Sequence, residues 1–231
     1  MKILVTQPNY IPWKGYFDLI ASADKFVVLD DVQYTSRDWR NRNLIKTPQG
    51  TIWLNIPIIK KNKILIKDAL IKDFNWVDDH INKIERNYKK SKYFDSIFPI
   101  LKEIYQGLTS KRLIDINIEI INFICTYLDI RTEISFSSDI KDKNLEKSLR
   151  ILDICIENNA TIYITGSKSK NYIDENLFKS KKIKIEFERF ENYPSYEQLW
   201  GPFNENVSVI DLLFNEGPNS YKFMKYVKPN E

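Results

Sequence analysis

The chain has 231 residues, 43% of them hydrophobic, with 35 basic and 31 acidic side chains and a net charge of +4. That length can bury a full core in one domain, and the interspersed charges describe a solvated surface rather than the basic stripe that a nucleic-acid groove needs. No run of about 18 apolar residues is present to cross a bilayer, and the N-terminus lacks the basic and apolar regions of a signal peptide, so a cytoplasmic location is expected.

Lys2–Thr6 is a short apolar run of the length of a buried strand. Gln7-Pro8-Asn9-Tyr10-Ile11-Pro12 follows as a turn-rich loop, and Tyr16, Phe17, Ile20 and Ala23 then share one helix face. A second apolar run, Phe26–Leu29, ends in Asp30-Asp31. Strand, helix and strand over roughly thirty residues make a βαβ unit, which the crossover rule makes parallel and right-handed. Ligands of such units sit at the carboxyl ends of the strands. Here those ends carry Thr6-Gln7 and Asp30-Asp31, and the stretch Arg37–Asn43 beyond them is dense in guanidinium and amide donors.

Leu44–Thr47 and Thr51–Pro57 flank Pro48-Gln49-Gly50 and read as a hairpin, with Ile64–Ile71 as a third, antiparallel strand. From Trp76 to Leu128 the period is helical. Trp76–Lys90 and Tyr93–Tyr105 are amphipathic, and Thr109 or Ser110 caps a longer helix with two apolar stripes. Glu133–Phe136 reads as a strand. Asn144 opens a helix carrying Leu145, Leu149, Leu152 and Ile156, and Thr161–Thr165, Glu175–Ser180 and Ile183–Phe187 complete a second αβαβ run. The aromatic tail from Tyr193 to Pro218 includes a helix-like stretch, Val209–Phe214. Cys125 and Cys155 fall within apolar helix patterns without ligand spacing, which describes buried free thiols. The expected fold is α/β: one domain over residues 1–231, with a Rossmann-like, mostly parallel sheet, an antiparallel hairpin and a helical insertion at about 76–128.

Gly166-Ser167-Lys168 after a strand brings backbone N–H groups, a hydroxyl and an ammonium together, as a phosphate site requires, though an ordinary loop has the same composition. Asp30-Asp31 either serves as a base or hydroxyl-positioning pair or forms a turn in which Asp bonds its own backbone. Arg37, Arg40 and Arg42 either clamp a pyrophosphate bidentately or pair with Asp30, Asp31 and Asp38 around a Trp39 surface anchor. His80, the only histidine, follows Asp78-Asp79 on a charged helix and is expected to face water. No His/Cys metal-ligand cluster is present.

Several separated motifs resemble the WbqC-like protein family. They are Gln7-Pro8-Asn9-Tyr10-Ile11-Pro12-Trp13-Lys14-Gly15-Tyr16-Phe17, Asp30-Asp31-Val32-Gln33-Tyr34, and Trp39 with Asn41-Arg42-Asn43. Farther on come Ile151–Cys155, Tyr163–Ser167 with Tyr172, and Ser208–Pro218. Ser167-Lys168-Ser169-Lys170 departs from the family's glycine-rich run. The resemblance implies a cytoplasmic transferase in surface-glycan (O-antigen or capsule) precursor synthesis. It would transfer an acyl or aminoacyl group to a nucleotide-linked amino sugar, with an acyl-CoA or aminoacyl donor. A non-catalytic scaffold subunit of a glycan-assembly complex is the alternative. The opening is also similar in layout to HxGH nucleotidylyltransferases, but Trp13 and Tyr16 stand near where the two histidines would be.

The expected catalytic residues are Asp31 first, then Asp30 and His80. The expected substrate-binding residues are Gln7, Asn9, Tyr10 and Trp13 in the first loop, and Arg40, Asn41, Arg42 and Asn43 in the second. Thr165, Gly166, Ser167, Lys168 and Asp211 complete the set. The expected ligand is a nucleotide-sugar or another small phosphorylated molecule, with no metal, no nucleic acid and no membrane span; an oligomer remains open.

Overall fold

The structure, a computed structural model, describes residues 1–140 and 147–229. Five parallel strands form the central sheet: β1 (Lys2–Thr6), β2 (Lys25–Val28), β5 (Glu133–Phe136), β6 (Ile162–Gly166) and β7 (Lys184–Glu188), in the spatial order β5-β2-β1-β6-β7. The chain leaves β1 toward β2 on one side, and β6 pairs on the other. The order therefore reverses between β1 and β6, which makes that gap the topological switch point.

The period of two along each strand sends alternate side chains to opposite faces. Leu4, Phe26, Val28 and Ile164 join one core, and Ile3, Val5, Val27 and Tyr163 join the other. Helix α1 (Lys14–Ala21) covers the first face together with α2 (Asn75–Tyr88), α3 (Phe94–Gly107), α4 (Leu113–Tyr127) and α7 (Val209–Glu216). Helices α5 (Lys147–Glu157) and α6 (Glu175–Ser180) cover the second. The helical stretch at about 76–128 thus shares a continuous core with the sheet. Helix α4 buries one broad face, from Ile116 through Leu113 and Ile120 to Ile121, while Phe123 and Tyr127 of the expected second stripe are only partly buried. The hairpin stands apart as a two-stranded sheet of β3 (Arg42–Thr47) and β4 (Gly50–Asn55), with Asn43, Ile45 and Leu54 turned inward.

Three expectations are corrected. Ile64–Ile71 is not a strand: it contains a 3₁₀ turn at Ile66–Asp68 and meets its neighbours only through isolated bridges. Its Ile66 and Lys67 amides donate to the Val32 and Asp30 carbonyls, so it follows the chain leaving β2 rather than extending the hairpin. Helix α4 begins at Leu113 without a capping side chain. The Ser110 hydroxyl accepts from the Arg112 amide at 3.1 Å and bonds Asp115 Oδ2 at 2.5 Å, closing a local turn ahead of the helix. Finally, β6 and β7 each start one residue later than the apolar pattern indicated. Asn144 and Leu145 lie outside the described residues.

Candidate functional site

At the carboxyl ends of β1 and β6 the structure has a cleft of about 350 Å³, within the usual size of small-molecule sites. The loop after β1 supplies Asn9, Pro12 and Trp13, and the segment before and into β3 supplies Trp39 and Asn43. Gly166 and Ser167 come from the end of β6, and the irregular segment after β7 adds Phe190 and Asn206. These lining side chains are amides, a hydroxyl and aromatic or apolar groups; none is a carboxylate, an imidazole or an amine.

The loop after β1 is held under strain. Ile11 is β-branched and fully buried, yet has φ 34°, a conformation such residues rarely adopt. Asn43 Nδ2 donates to the Tyr10 and Ile11 carbonyls at 3.2 and 2.9 Å, and the Tyr10 amide donates to the Trp39 carbonyl at 2.9 Å. Asn117, on α4, donates to the Arg40 carbonyl at 2.8 Å. Asn41 Nδ2 donates to the Ile56 carbonyl and the Asn55 side chain. The amides that looked like ligand donors thus fix the loops around the cleft. Gly15 does the same for Trp13: a Cβ at position 15 would lie 2.4 Å from the indole, so only glycine lets that ring lie against α1. Trp13 then meets Phe190 and Tyr193 edge-on at 5.1 and 5.8 Å.

Beside it Lys14 is buried, donates to the Pro194 carbonyl at 3.1 Å, and lies over the Tyr193 and Tyr196 rings at 4.8 and 5.3 Å. It ties the segment carrying Phe190 and Asn206 to α1. Burial lowers its pKa to about 8, opposed by the negative charge of Asp18.

Among the described residues, Asn9 Oδ1 and Gln7 Oε1 are buried without a hydrogen-bond partner. An unsatisfied buried acceptor costs stability, about 1–3 kcal/mol, and Asn9 is also one of the residues lining the cleft.

Asp30 and Asp31 are both held in hydrogen bonds, and Asp31 also in an ion pair. Asp30 Oδ1 accepts from the Ser138 amide at 2.9 Å, and Oδ2 from the Ser138 hydroxyl at 2.8 Å. Asp31 Oδ1 accepts from the Ser137 hydroxyl at 2.6 Å, and Oδ2 pairs with Arg150 Nη2 at 2.6 Å. The two carboxylates tie the end of β2 to the end of β5 and to α5, and neither lines the cleft.

His80 is corrected outright: it is 1% exposed rather than solvated. Its ring bonds the Asn55 main chain, and Nδ1 faces the Tyr10 hydroxyl at 2.7 Å, which in turn meets Tyr105 at 2.5 Å. The carbonyl requires an N–H on Nε2, so Nδ1 accepts and the ring is neutral. Burial lowers its pKa to about 4. Tyr10 is consumed in this chain. Asp211 is likewise buried, accepting from Tyr88 at 2.9 Å and from Tyr196 and Gln198 at 2.8 Å; burial raises its pKa, opposed by those hydrogen bonds.

Of the remaining expected residues, Thr165 bonds Ser169 at 2.8 Å and Arg40 pairs with Asp38 at 2.5 Å. Arg42 stacks on Trp53. Lys168 belongs to the 3₁₀ turn Ser167–Asn171, but its side chain lies outside the description. Sequence reasoning named Asn9, Trp13, Asn43, Gly166 and Ser167 of the cleft; it missed Pro12, Phe190 and Asn206 and treated Trp39 only as an anchor. Phe190 precedes the aromatic tail and Asn206 lies within it, and the lack of periodicity there gave no direction to fold it. Arg150 carried a usable signal, a cation set between the apolar Leu149 and Ile151 of α5.

The fold and cleft define a doubly wound α/β protein with an open site at its switch point. The chain belongs to the WbqC-like protein family, whose model matches residues 7–223. It is 38% identical over 229 residues to the uncharacterized protein Rv1507c of Mycobacterium tuberculosis, covering 98% of this chain and 99% of that one. No solved structure matches it. Among the described residues no helix is long and apolar enough to cross a membrane.

Proposed function

We propose that the chain is a cytoplasmic transferase in surface-glycan precursor synthesis, moving an acyl or aminoacyl group onto the amine of a nucleotide-linked amino sugar. Family membership supports the class. The observation that carries the site is the buried, unpartnered Asn9 Oδ1 in a cleft at the switch point. In this reading Asn9 accepts a hydrogen bond from a sugar hydroxyl or amide. Ser167 and the neighbouring backbone contact the polar part of the ligand, and Trp13 and Phe190 pack on its apolar faces. The sugar nitrogen attacks the acyl carbon of an acyl-CoA or aminoacyl donor, the bond to the leaving sulfur or oxygen breaks, and the nitrogen gives up a proton. That proton ends on the leaving thiolate or alkoxide; a relay through Asp31 requires it to exchange its Ser137 or Arg150 bond for the amine.

The absence of any acid or base among the cleft's lining residues favours a second reading, a subunit that binds the glycan precursor without converting it. A thermal-shift screen of nucleotide-linked amino sugars, followed by product analysis with acyl-CoA and aminoacyl donors, separates the two. Binding with a new amide supports the transferase. Binding without one supports the second reading. Ligands that shift the parent and Asn9→Leu equally would remove the cleft from both.

A further inference from the structure

Trp39 belongs to two structures at once. It lines the cleft, and its ring lies 5.6 Å from that of Trp53 on β4, tilted by 42°. Both indoles are about two-fifths exposed, 43% for Trp39 and 40% for Trp53. The Arg42 guanidinium stacks over Trp53, its central carbon 4.1 Å from the ring centroid. Arg40 is neutralised by Asp38, whereas Arg42 has no carboxylate partner among the described residues and its buried Nε has no acceptor. The hairpin register explains the placement: Arg42 faces Asn55 and Leu44 faces Trp53, so Arg42 and Trp53 are diagonal neighbours on the outward face. A pair of exposed indoles beside a cation with no acid to answer it continues the cleft outward.

We propose that this rim is a nucleotide subsite: the base of a nucleoside diphosphate stacks on Trp39, and Arg42 meets the diphosphate. This rests on the proposed function and names the end of the ligand outside the cleft. An indole face binds any nucleobase by stacking, and a guanidinium already aligned on an aromatic ring presents its remaining N–H groups to phosphate oxygens. Stacking on an indole face does not read the base's hydrogen-bonding edge, so the subsite discriminates weakly between uracil and adenine.

The test is calorimetric titration of the full chain with UDP, ADP and inorganic pyrophosphate. Trp39→Ala should weaken UDP and ADP tenfold or more and leave pyrophosphate unchanged, and Trp39→Phe should restore most of the loss. Arg42→Gln should weaken all three. UDP and ADP binding Trp39→Ala as they bind the parent would overturn the subsite, as would no binding to the parent. A dimer dispersed by Trp39→Ala, without any effect on nucleotide, would assign the rings to self-association and also overturn it. Asn9→Leu separates this proposal from the functional reading. If it abolishes binding of a nucleotide-linked amino sugar while Trp39→Ala does not, the rim fails and the cleft stands.

Discussion

The Asp31 carboxylate and the Arg150 guanidinium meet at 2.6 Å with side chains only 4% and 6% exposed. Ser137 ties both ends of the pair: its hydroxyl reaches Asp31 Oδ1 at 2.6 Å, and its carbonyl accepts from Arg150 at 2.5 Å. Because charges so enclosed cannot be solvated once separated, loss of one partner costs about 3–5 kcal/mol. Asp31→Asn is therefore expected to lower the urea midpoint strongly while leaving nucleotide-sugar affinity intact. The double variant Asp31→Leu/Arg150→Met should recover much of the stability. If Asp31→Asn unfolds like the parent and loses only turnover, Asp31 is a base after all.

His80 makes stability acid-sensitive. Its folded pKa is about 4, against an unfolded value of about 6.5. Between those values the unfolded chain binds more protons, so stability falls as pH drops from 6.5 toward 4. At pH 5 the loss attributable to this ring is about 2 kcal/mol. His80→Gln, which keeps a donor and an acceptor, should narrow the difference between unfolding free energies at pH 7.5 and pH 5 by that amount. An unchanged difference would mean that the buried ring is not what titrates.

The same histidine shows what the sequence concealed. Trp76, Val77, His80, Ile81 and Ile84 are all buried on α2. Their spacing of three and four was present in the sequence, but the neighbouring Asp78 and Asp79 outweighed it. The sheet was legible because its strands are short apolar runs at βαβ spacing, and four of the cleft residues, Asn9, Trp13, Gly166 and Ser167, were legible because the first loop and the end of β6 fall at strand termini. The bonds of Asp31 were concealed for a different reason. Its partners Ser137 and Arg150 lie 106 and 119 residues away, and no local pattern reports a contact of that range. The segment from Phe190 to Asn206 has no period at all; its course follows from Lys14 and Trp13, which only the folded chain brings to it.

Both thiols should be inert in the native state. Burial pushes Cys125 up to about 12 and raises Cys155 strongly as well, so almost no thiolate exists near neutral pH. Dithionitrobenzoate at pH 8 is expected to leave the folded protein unlabelled over minutes and to titrate both cysteines in guanidinium. Rapid reaction of either one in buffer would place it at the surface.

Gly15 gives the cleanest handle on the cleft. An alanine Cβ there would lie 2.4 Å from one carbon of the Trp13 ring and 2.5 Å from the next, far inside contact distance. Either the indole rotates away or α1 moves, and the indole is the less constrained of the two, since Trp13 is only half-buried. Gly-to-Ala in a helix gains about 1 kcal/mol in propensity, which offsets part of the strain. Gly15→Ala is therefore expected to melt within a few degrees of the parent and to lose nucleotide-sugar affinity by tenfold or more, because the displaced ring leaves its contacts with Phe190 and Tyr193 and enters or vacates the cleft. Trp13→Ala should show the same loss of affinity, and adding Gly15→Ala to Trp13→Ala should cost nothing further, since the clash is gone. Additive losses in that cycle would show that position 15 acts on the site by another route.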